Sequence, residues 1–562
     1  MKKLLFSILL FLTIVSFSQT ATIGLLQNST DSYNGYTLFA PTSYSKTYLI
    51  DNCGKLIHTW SSSYNPGLSV YLLENGNLLH TGTTKNSYFN SGGSGGIVEI
   101  IDPNSTVTWS YKVSSTTECQ HHDVEALPNG NVLIISWESK TTTEATDAGR
   151  NPSSLNNALW SEKIIEVNPT TSEIVWEWHV WDHLVQDYAS DKNNYGVVAD
   201  HPELLNINYY AENKSDWLHI NSVDYNAELD QILLSSHELS EIWIIDHSTT
   251  TQQAAGHTGG NSGKGGDFLF RWGNPATYDK GTSDDQVFYK QHDVRWVPKG
   301  YPGEGNIMVF NNGQGRPGSN YSSIDELTPV PNGFNYEMSS GVFLPTGLSW
   351  QYKAPVLTDF YTGTQGGGDR QPNGNTLICE ADEGHFFEVD PEGNTVWEYI
   401  NPVSSSGPLE QGTSTTGTST GGRPGSGGTR ISNGVFRATR YNPDYAGLQY
   451  YDLTPGEPIE TNPIDYTCDT DTSSTKGSTN IESMTNKINI YPNPVGDYIY
   501  LETELKQNLS FILINATGEV VLKEPENMGS AKINVSQLKT GLYFYQVSDN
   551  QTIISSGKLI IE

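Results

Sequence analysis

The chain of 562 residues is longer than a single apolar core usually grows, so two or more domains are expected. Its 63 acidic against 31 basic residues leave a formal charge of −32, which repels nucleic acid and anionic lipid and sets both aside as partners. An anionic small substrate would need a local cationic pocket inside that acidic shell.

Residues 1–18 carry Lys2 and Lys3, then the apolar run LLFSILLFLTIVSF, with small residues at Ser16 and Ser18. This is the pattern of a signal peptide, cut before Gln19, and the run is too short for a membrane span. No later stretch is apolar enough to cross a bilayer, so the mature chain is expected to be exported and soluble. Cys53, Cys119, Cys379 and Cys468 show no metal-ligand spacing; export permits disulfides, but the sequence does not pair them.

From about Thr47 to Tyr451 two kinds of hairpin alternate. The first is a strand, a polar turn and a strand ending near an aromatic: TYLIDNCGKLIHTW (47–60), GIVEIIDPNSTVTWSY (96–111), KIIEVNPTTSEIVWEW (163–178), a copy spanning 241–272, GVFLPTGLSWQY (341–352) and HFFEVDPEGNTVWEY (385–399). The second runs SVYLLENGNLLHTG (69–82), HHDVEALPNGNVLIISW (121–137), 219–237, 291–310 and GDRQPNGNTLICE (368–380), with GVFRATRYNPDY (434–445) as a degraded sixth copy. The ENGN and PNGN elements supply the positive-φ residues that tight hairpins require. Six copies of each predict an all-β chain with a six-bladed β-propeller over residues 19–453, its ends sharing one blade. Three connections are long, 179–218, 248–267 and 403–432, the last a low-complexity stretch expected as a flexible surface loop. A polar linker is expected over 454–486 and a small β-sandwich over 487–562.

Alignment of the second hairpins on their turns gives a registry of histidines. His122 lies six residues before Pro128, His219 six before Tyr225 and His292 six before Pro298. All three are therefore predicted at the start of an innermost strand, at one mouth of the channel; Leu68 and Gly366 fill that place in two other blades. His237, at the end of QILLSSH, returns to the same face. His183, in WHVWDHL, is expected to reach the rim, and His121 to pack behind His122. Asp123 and Asp293, on the opposite strand face, are expected to brace the sheet. His58, His80, His247 and His385 lack the registry and read as structural, and His257, in AGHTGGNSGKGG, is expected in a loop on the far face. No GxxxxGK[ST] or GxGxxG leads from a strand into a helix, so a nucleotide donor has no recognisable site.

At HHDVEALPNGN, DWLHINSVDY followed by LLSSH, GHTGGNSGKGGDFLFRWGNP and QHDVRWVP, the chain resembles the bacterial arylsulfate sulfotransferases, nucleotide-independent propeller enzymes. The resemblance spans roughly residues 35–450. It implies transfer of a sulfuryl group from an aryl sulfate to a phenol through a sulfated histidine, without a cofactor or metal. By position it makes His292 the histidine that is sulfated and His122 and His219 those that hold the sulfate oxygens. His237 stands where the family pattern has an arginine, which replaces a permanent cation by a titratable one. Arg370, Arg437 and Arg271 are candidate substitutes, and Arg370 joins His121 and His183 as substrate-binding candidates beside the catalytic set His292, His122, His219 and His237. Two other readings use the same fold: a transition-metal site on His122, His219, His237 and His292 serving a hydrolase or oxidase, or a non-catalytic surface propeller that binds sulfated glycans or phenolics. YPNPVGDYIYLE, GLYFYQV and GKLIIE resemble the type IX secretion sorting domain, which implies that secretion machinery as a partner and a secreted or cell-surface location.

Overall fold

The computed structural model describes residues 21–210, 213–415, 431–464 and 468, and most of 488–561. The signal peptide expected over 1–18, residues 416–430 of the low-complexity stretch and residues 469–486 of the linker lie outside the described residues. The chain divides into two compact units, Met1–Asp471 and Thr472–Glu562.

Local turn chemistry builds the first unit. In ENGN and both PNGN turns the same loop forms. Leu73, Leu127 and Gln371 each donate their N–H to the carbonyl four residues on, at 2.8–2.9 Å, while Gly76, Gly130 and Gly374 close the turn with φ of 79°, 84° and 95°. The preceding Asn75, Asn129 and Asn373 accept from the N–H two residues later, an Asx turn that holds the loop before the strands pair.

The strands so joined form six antiparallel sheets of four strands, one of which carries a fifth strand. From the inside outward the second sheet runs Pro66–Leu72, Leu78–Thr83, Gly96–Ile101 and Val107–Lys112. The third runs Glu118–Ala126, Val132–Thr141, Ala158–Asn168 and Glu173–His179, and the fourth Ile220–Asn226, Gln231–Ser236, Glu241–Asp246 and Phe270–Trp272. The fifth begins at His292–Trp296 and the sixth at Gly367–Arg370. In the first, the late strand Val435–Tyr441 is innermost and pairs with Tyr36–Pro41, which leads out to Lys46–Asp51 and Leu56–Ser61. The innermost strands touch one another in order and the last returns to the first, so the ring closes. Large side chains, among them Trp60, Trp137, Trp178, Trp243 and Trp397, are fully buried.

Four details depart from the sequence reading. GVFRATRYNPDY supplies one strand rather than a hairpin, because the chain turns after Tyr441 into the short helix Ala446–Tyr450. In the fifth sheet the third strand is Ser323–Leu327, not part of 341–352; Asp325 and Glu326 are buried there against Asn311, Gln351 and Arg370, and this inward polarity hides the strand from an apolar pattern. Residues 403–415 are fastened rather than loose: Val403–Ser404 pairs with Gly407–Pro408, and Gln411 accepts the N–H of Thr22 at 2.7 Å. The expected linker begins late, since Ile459 packs with Leu25 and Trp397, and Cys468 is disulfide-bonded to Cys53.

In the second unit Ile488–Tyr491, Tyr498–Thr503 and Ala531–Asn534 form one sheet, and Val520–Met528, Leu509–Asn515, Gly541–Asp549 and Thr552–Ile561 form another. Ile499, Leu501 and Ile533 from the first share a cluster with Phe511, Leu513, Val547 and Leu559 from the second.

The disulfide closes 415 residues of chain, and a cross-link of that span removes much conformational freedom from the unfolded chain. Replacing both Cys53 and Cys468 by alanine is therefore expected to lower stability by about 2–5 kcal/mol. Thermal unfolding followed by circular dichroism checks this; an unchanged midpoint contradicts it.

Candidate functional site

The channel mouth is built by a backbone irregularity. Within or just before five innermost strands stands a residue with positive φ: Leu68 (102°), His122 (50°), His219 (52°), Asp293 (46°) and Gly366 (110°). Pairing with the second strand slips between Pro66 and Val70, opposite His122 between Ile134 and Ser136, between Ile220 and Ser222, and between His292 and Val294. Such bulges re-aim the side chains beside them. The registry read from the turns is thus the registry of a bulge, displaced by one residue in the fifth sheet. A non-glycine residue held there costs about 1–2 kcal/mol, a cost that commonly marks functional sites.

Four imidazoles meet at this mouth in a closed circuit. Ring centroids are 4.6 Å apart for His122 and His219, 5.1 Å for His219 and His237, 5.2 Å for His237 and His292, and 6.4 Å for His292 and His122. His237 joins because the strand Gln231–Ser236 runs back to this face, and its N–H donates to the His219 carbonyl. Gly93 covers His122 so closely that a Cβ on it would lie 1.9 Å from the ring.

The partners of each ring fix its protons. Asn312 spends its amide N–H groups on the carbonyls of Thr362 and Gln365, so its Oδ1 is left to accept from His292 Nδ1 at 2.8 Å. Nδ1 of His292 therefore carries the proton and Nε2 keeps its lone pair, which faces only the Gln365 N–H at 3.3 Å. His219 Nδ1 donates to Asp216 Oδ2 at 2.6 Å. Behind His122, its Nδ1 meets Nδ1 of His121 at 2.9 Å, and His121 Nε2 meets Glu162 Oε2 at 2.8 Å.

Burial dominates the electrostatics. It holds His122 and His292 well below the ordinary histidine pKa, helped by the neighbouring rings, and pushes His237 down to about 4. His219 goes the other way: burial lowers it, but the Asp216 carboxylate more than offsets this and leaves its pKa raised. Burial thus favours the neutral forms of His122, His237 and His292, while Asp216 favours the charged form of His219.

Below the circuit, Arg437 pairs with Asp123 and Asp293, and Arg295 binds Asp293 and the Tyr71 hydroxyl. The two aspartates thus clamp the channel arginines, beyond bracing their own sheets. Beside it, Glu238 is held by Lys214 at 2.8 Å and Lys290 at 2.5 Å, with Tyr210 under both ammonium groups.

Three sequence candidates lie elsewhere. His121 is fully buried and stacked on Trp137 at 3.9 Å, so it supports His122 without facing the mouth. His183 is buried against Trp178, Asp267 and the Ala254 carbonyl, because the segment after Glu173–His179 turns toward the loop of the next sheet. Arg370 pairs with Glu326 and lies over Trp350 within the sheets. Arg271 is likewise spent on Glu241, whereas Arg437 does enter the channel. His58, His80, His247 and His385 bind Pro103, Glu99, Asp230 with Glu166, and Glu380 with Glu398 respectively. The partners Asn312, Asp216 and Glu162 were not read from the sequence; only Asp216, three residues before His219 in DWLHINS, sits near a quoted motif.

A family model described as arylsulfotransferase (ASST) matches residues 22–406, a span that holds all four histidines, and one described as a secretion system C-terminal sorting domain matches residues 489–562. No curated protein sequence matches the chain. Solved structures similar to it include a protein of unknown function from Bacteroides caccae, with 11% identity over 65% of this chain and 93% of that one at a TM-score of 0.36. Virginiamycin B lyase from Staphylococcus aureus has 10% identity over 67% and 88% at a TM-score of 0.30. The Swd1 β-propeller domain from Myceliophteria thermophila has 9% identity over 69% and 88% at a TM-score of 0.32.

The proton assignments are measurable by nitrogen NMR of labelled histidine. At pH 7 His292 is expected to carry its proton on Nδ1 alone. His237 is expected to titrate near pH 4, and His219 to lose its proton only above the ordinary value of about 6.5. A His219 that is neutral below pH 6.5 contradicts the assignment.

Proposed function

The chain belongs to the arylsulfotransferase family, and from that premise we propose that the four-histidine circuit moves a sulfuryl group from an aryl sulfate to a phenol through a sulfohistidine at His292. Its C-terminal unit is a type IX secretion sorting domain, which takes the chain across the outer membrane to the cell surface or the medium. Among the described residues no helix is long and apolar enough to cross a membrane.

The observation that carries the mechanism is the Asn312–His292 hydrogen bond. It leaves the Nε2 lone pair of a neutral ring at the mouth, and a neutral imidazole is a competent nucleophile toward a sulfate ester. In the first half-reaction Nε2 bonds to sulfur while the sulfur–aryloxy bond breaks. The departing phenoxide takes a proton from the His219 imidazolium. In the second half the acceptor phenol returns a proton to His219, its oxygen bonds to sulfur, the nitrogen–sulfur bond breaks, and His292 is neutral again. The imidazolium, already paired with Asp216, also offsets charge on the sulfate oxygens, and a buried, water-poor site strengthens that effect. His122, adjacent to both rings, is placed to hold a further oxygen.

His237 does not restore the family's permanent cation, because burial keeps it neutral at pH 7. Lys214 and Lys290 lie next to it behind Glu238, and they are the local positive charge that draws an anionic donor through an acidic surface.

The test is a chromogenic aryl sulfate offered with a phenol. The native protein is expected to transfer the group, and His292→Ala to lose at least about a thousandfold of that rate with an unchanged circular dichroism spectrum. A correctly folded His292→Ala protein that keeps full activity contradicts the assignment.

A further inference from the structure

The loop motif AGHTGGNSGKGGDF has no part in the circuit above, yet it builds a second constellation with the segment WHVWDHL. His183 Nδ1 and His257 Nδ1 both lie 2.8 Å from the same atom, Asp267 Oδ1. All three ligand atoms fall within 4.8 Å of one another, and among the described residues this is the group of histidine, cysteine and carboxylate side chains so arranged. The four channel histidines are not gathered in that way.

The hydrogen-bond partners of His183 orient its ring. His183 Nε2 lies 2.8 Å from the Ala254 carbonyl, which has no proton to give, so Nε2 must carry one. Its Nδ1 and that of His257 converge on Asp267 Oδ1, so one carboxylate oxygen meets two ring nitrogens. Three ligand atoms so close together offer a cation one shared position. The arrangement of His183 is the one metal-bound histidines use, with one nitrogen on the metal and the other N–H donated to a backbone carbonyl.

The surroundings are built to hold that ring. His183 is fully buried and stacked on Trp178, with interplanar angle 10°. Trp178 in turn donates its indole N–H to the Gly266 carbonyl at 2.7 Å. A Cβ on Gly266 would lie 2.6 Å from His183 Nε2, so only glycine fits beside it. Asp267 is 7% exposed and His257 60% exposed, which leaves one side of the group open to water.

We propose that His183, His257 and Asp267 form a binding site for a divalent transition-metal ion, zinc by donor chemistry, with one coordination position open to solvent. Two imidazoles and one carboxylate suit zinc rather than calcium or magnesium, which favour all-oxygen sets. Zinc-to-ligand distances of about 2.0–2.2 Å require each imidazole nitrogen to part from Asp267 Oδ1 by roughly 0.5 Å. The exposed His257, on a loop, is free to supply that movement. Occupied, the site ties the segment that follows the outermost strand of the third sheet to the 248–267 loop of the fourth. This inference is independent of the sulfuryl-transfer reading.

The full mature protein, stripped with chelator and dialysed, would be titrated with zinc chloride by calorimetry, and its thermal midpoint followed in parallel. The native chain is expected to show one tight equivalent and a rise in midpoint. His257→Ala, a change at an exposed side chain, should weaken that equivalent by at least about tenfold and abolish the rise, and Asp267→Asn should do the same. His292→Ala should leave both unchanged. The proposal is overturned if the native chain binds no tight equivalent, if His257→Ala binds as the native chain does, or if the equivalent disappears in His292→Ala.

Discussion

A strand in regular pleat sends alternate side chains to opposite sheet faces, and a bulge re-aims the side chains beside it. The positive φ at His122, His219 and Asp293 breaks that pleat at one level of the ring. The histidine circuit forms around this interruption. It brings His122 within 4.6 Å of His219, lets His237 close the circuit from a second strand, and places Asp123 and Asp293 under the histidines, where they hold Arg437. The unfavourable backbone is held by exact local fits, such as Gly93 against the His122 ring.

Burial then decides the charge. Four imidazoles in a dry cluster cannot all be protonated, since each charge would be desolvated and would repel the others. One carboxylate, Asp216, favours the charged form of His219, and a neutral amide, Asn312, orients His292 without charging it. A carboxylate at the Asn312 position would favour the imidazolium and remove the lone pair. On the proposed mechanism, the amide beside one ring and the acid beside the other suit His292 to be the nucleophile and His219 the proton carrier. On the same proposal, with His237 at the family's arginine position, charge for the donor comes from the two lysines around Glu238 and from protonated His219.

Features set by local chemistry were legible in the sequence. The ENGN and PNGN turns specify their own hydrogen bonds, so the hairpins and their spacing could be read, and with them the common level of His122, His219 and His292. What depends on chain segments meeting across the ring could not. Asn312 reaches His292 from the end of the neighbouring strand, Arg437 arrives from the late strand that closes the first sheet, and nothing near either residue marks its destination. The place of His183 is hidden for the same reason, because the direction of a chain leaving an outer strand does not reveal which loop it will meet. Ser323–Leu327 escaped because Asp325 and Glu326 point inward to partners supplied by other strands.

The central claim is that the oriented lone pair of His292 becomes bonded to sulfur. Mixing the protein with an aryl sulfate, quenching within the first turnover under alkaline conditions and mapping peptides by mass spectrometry examines that bond directly. A sulfuryl group on His292, discharged when a phenol is added before the quench, is the predicted result. An enzyme that turns over while His292 stays unmodified, or a stable group on His122, His219 or His237 instead, would contradict it.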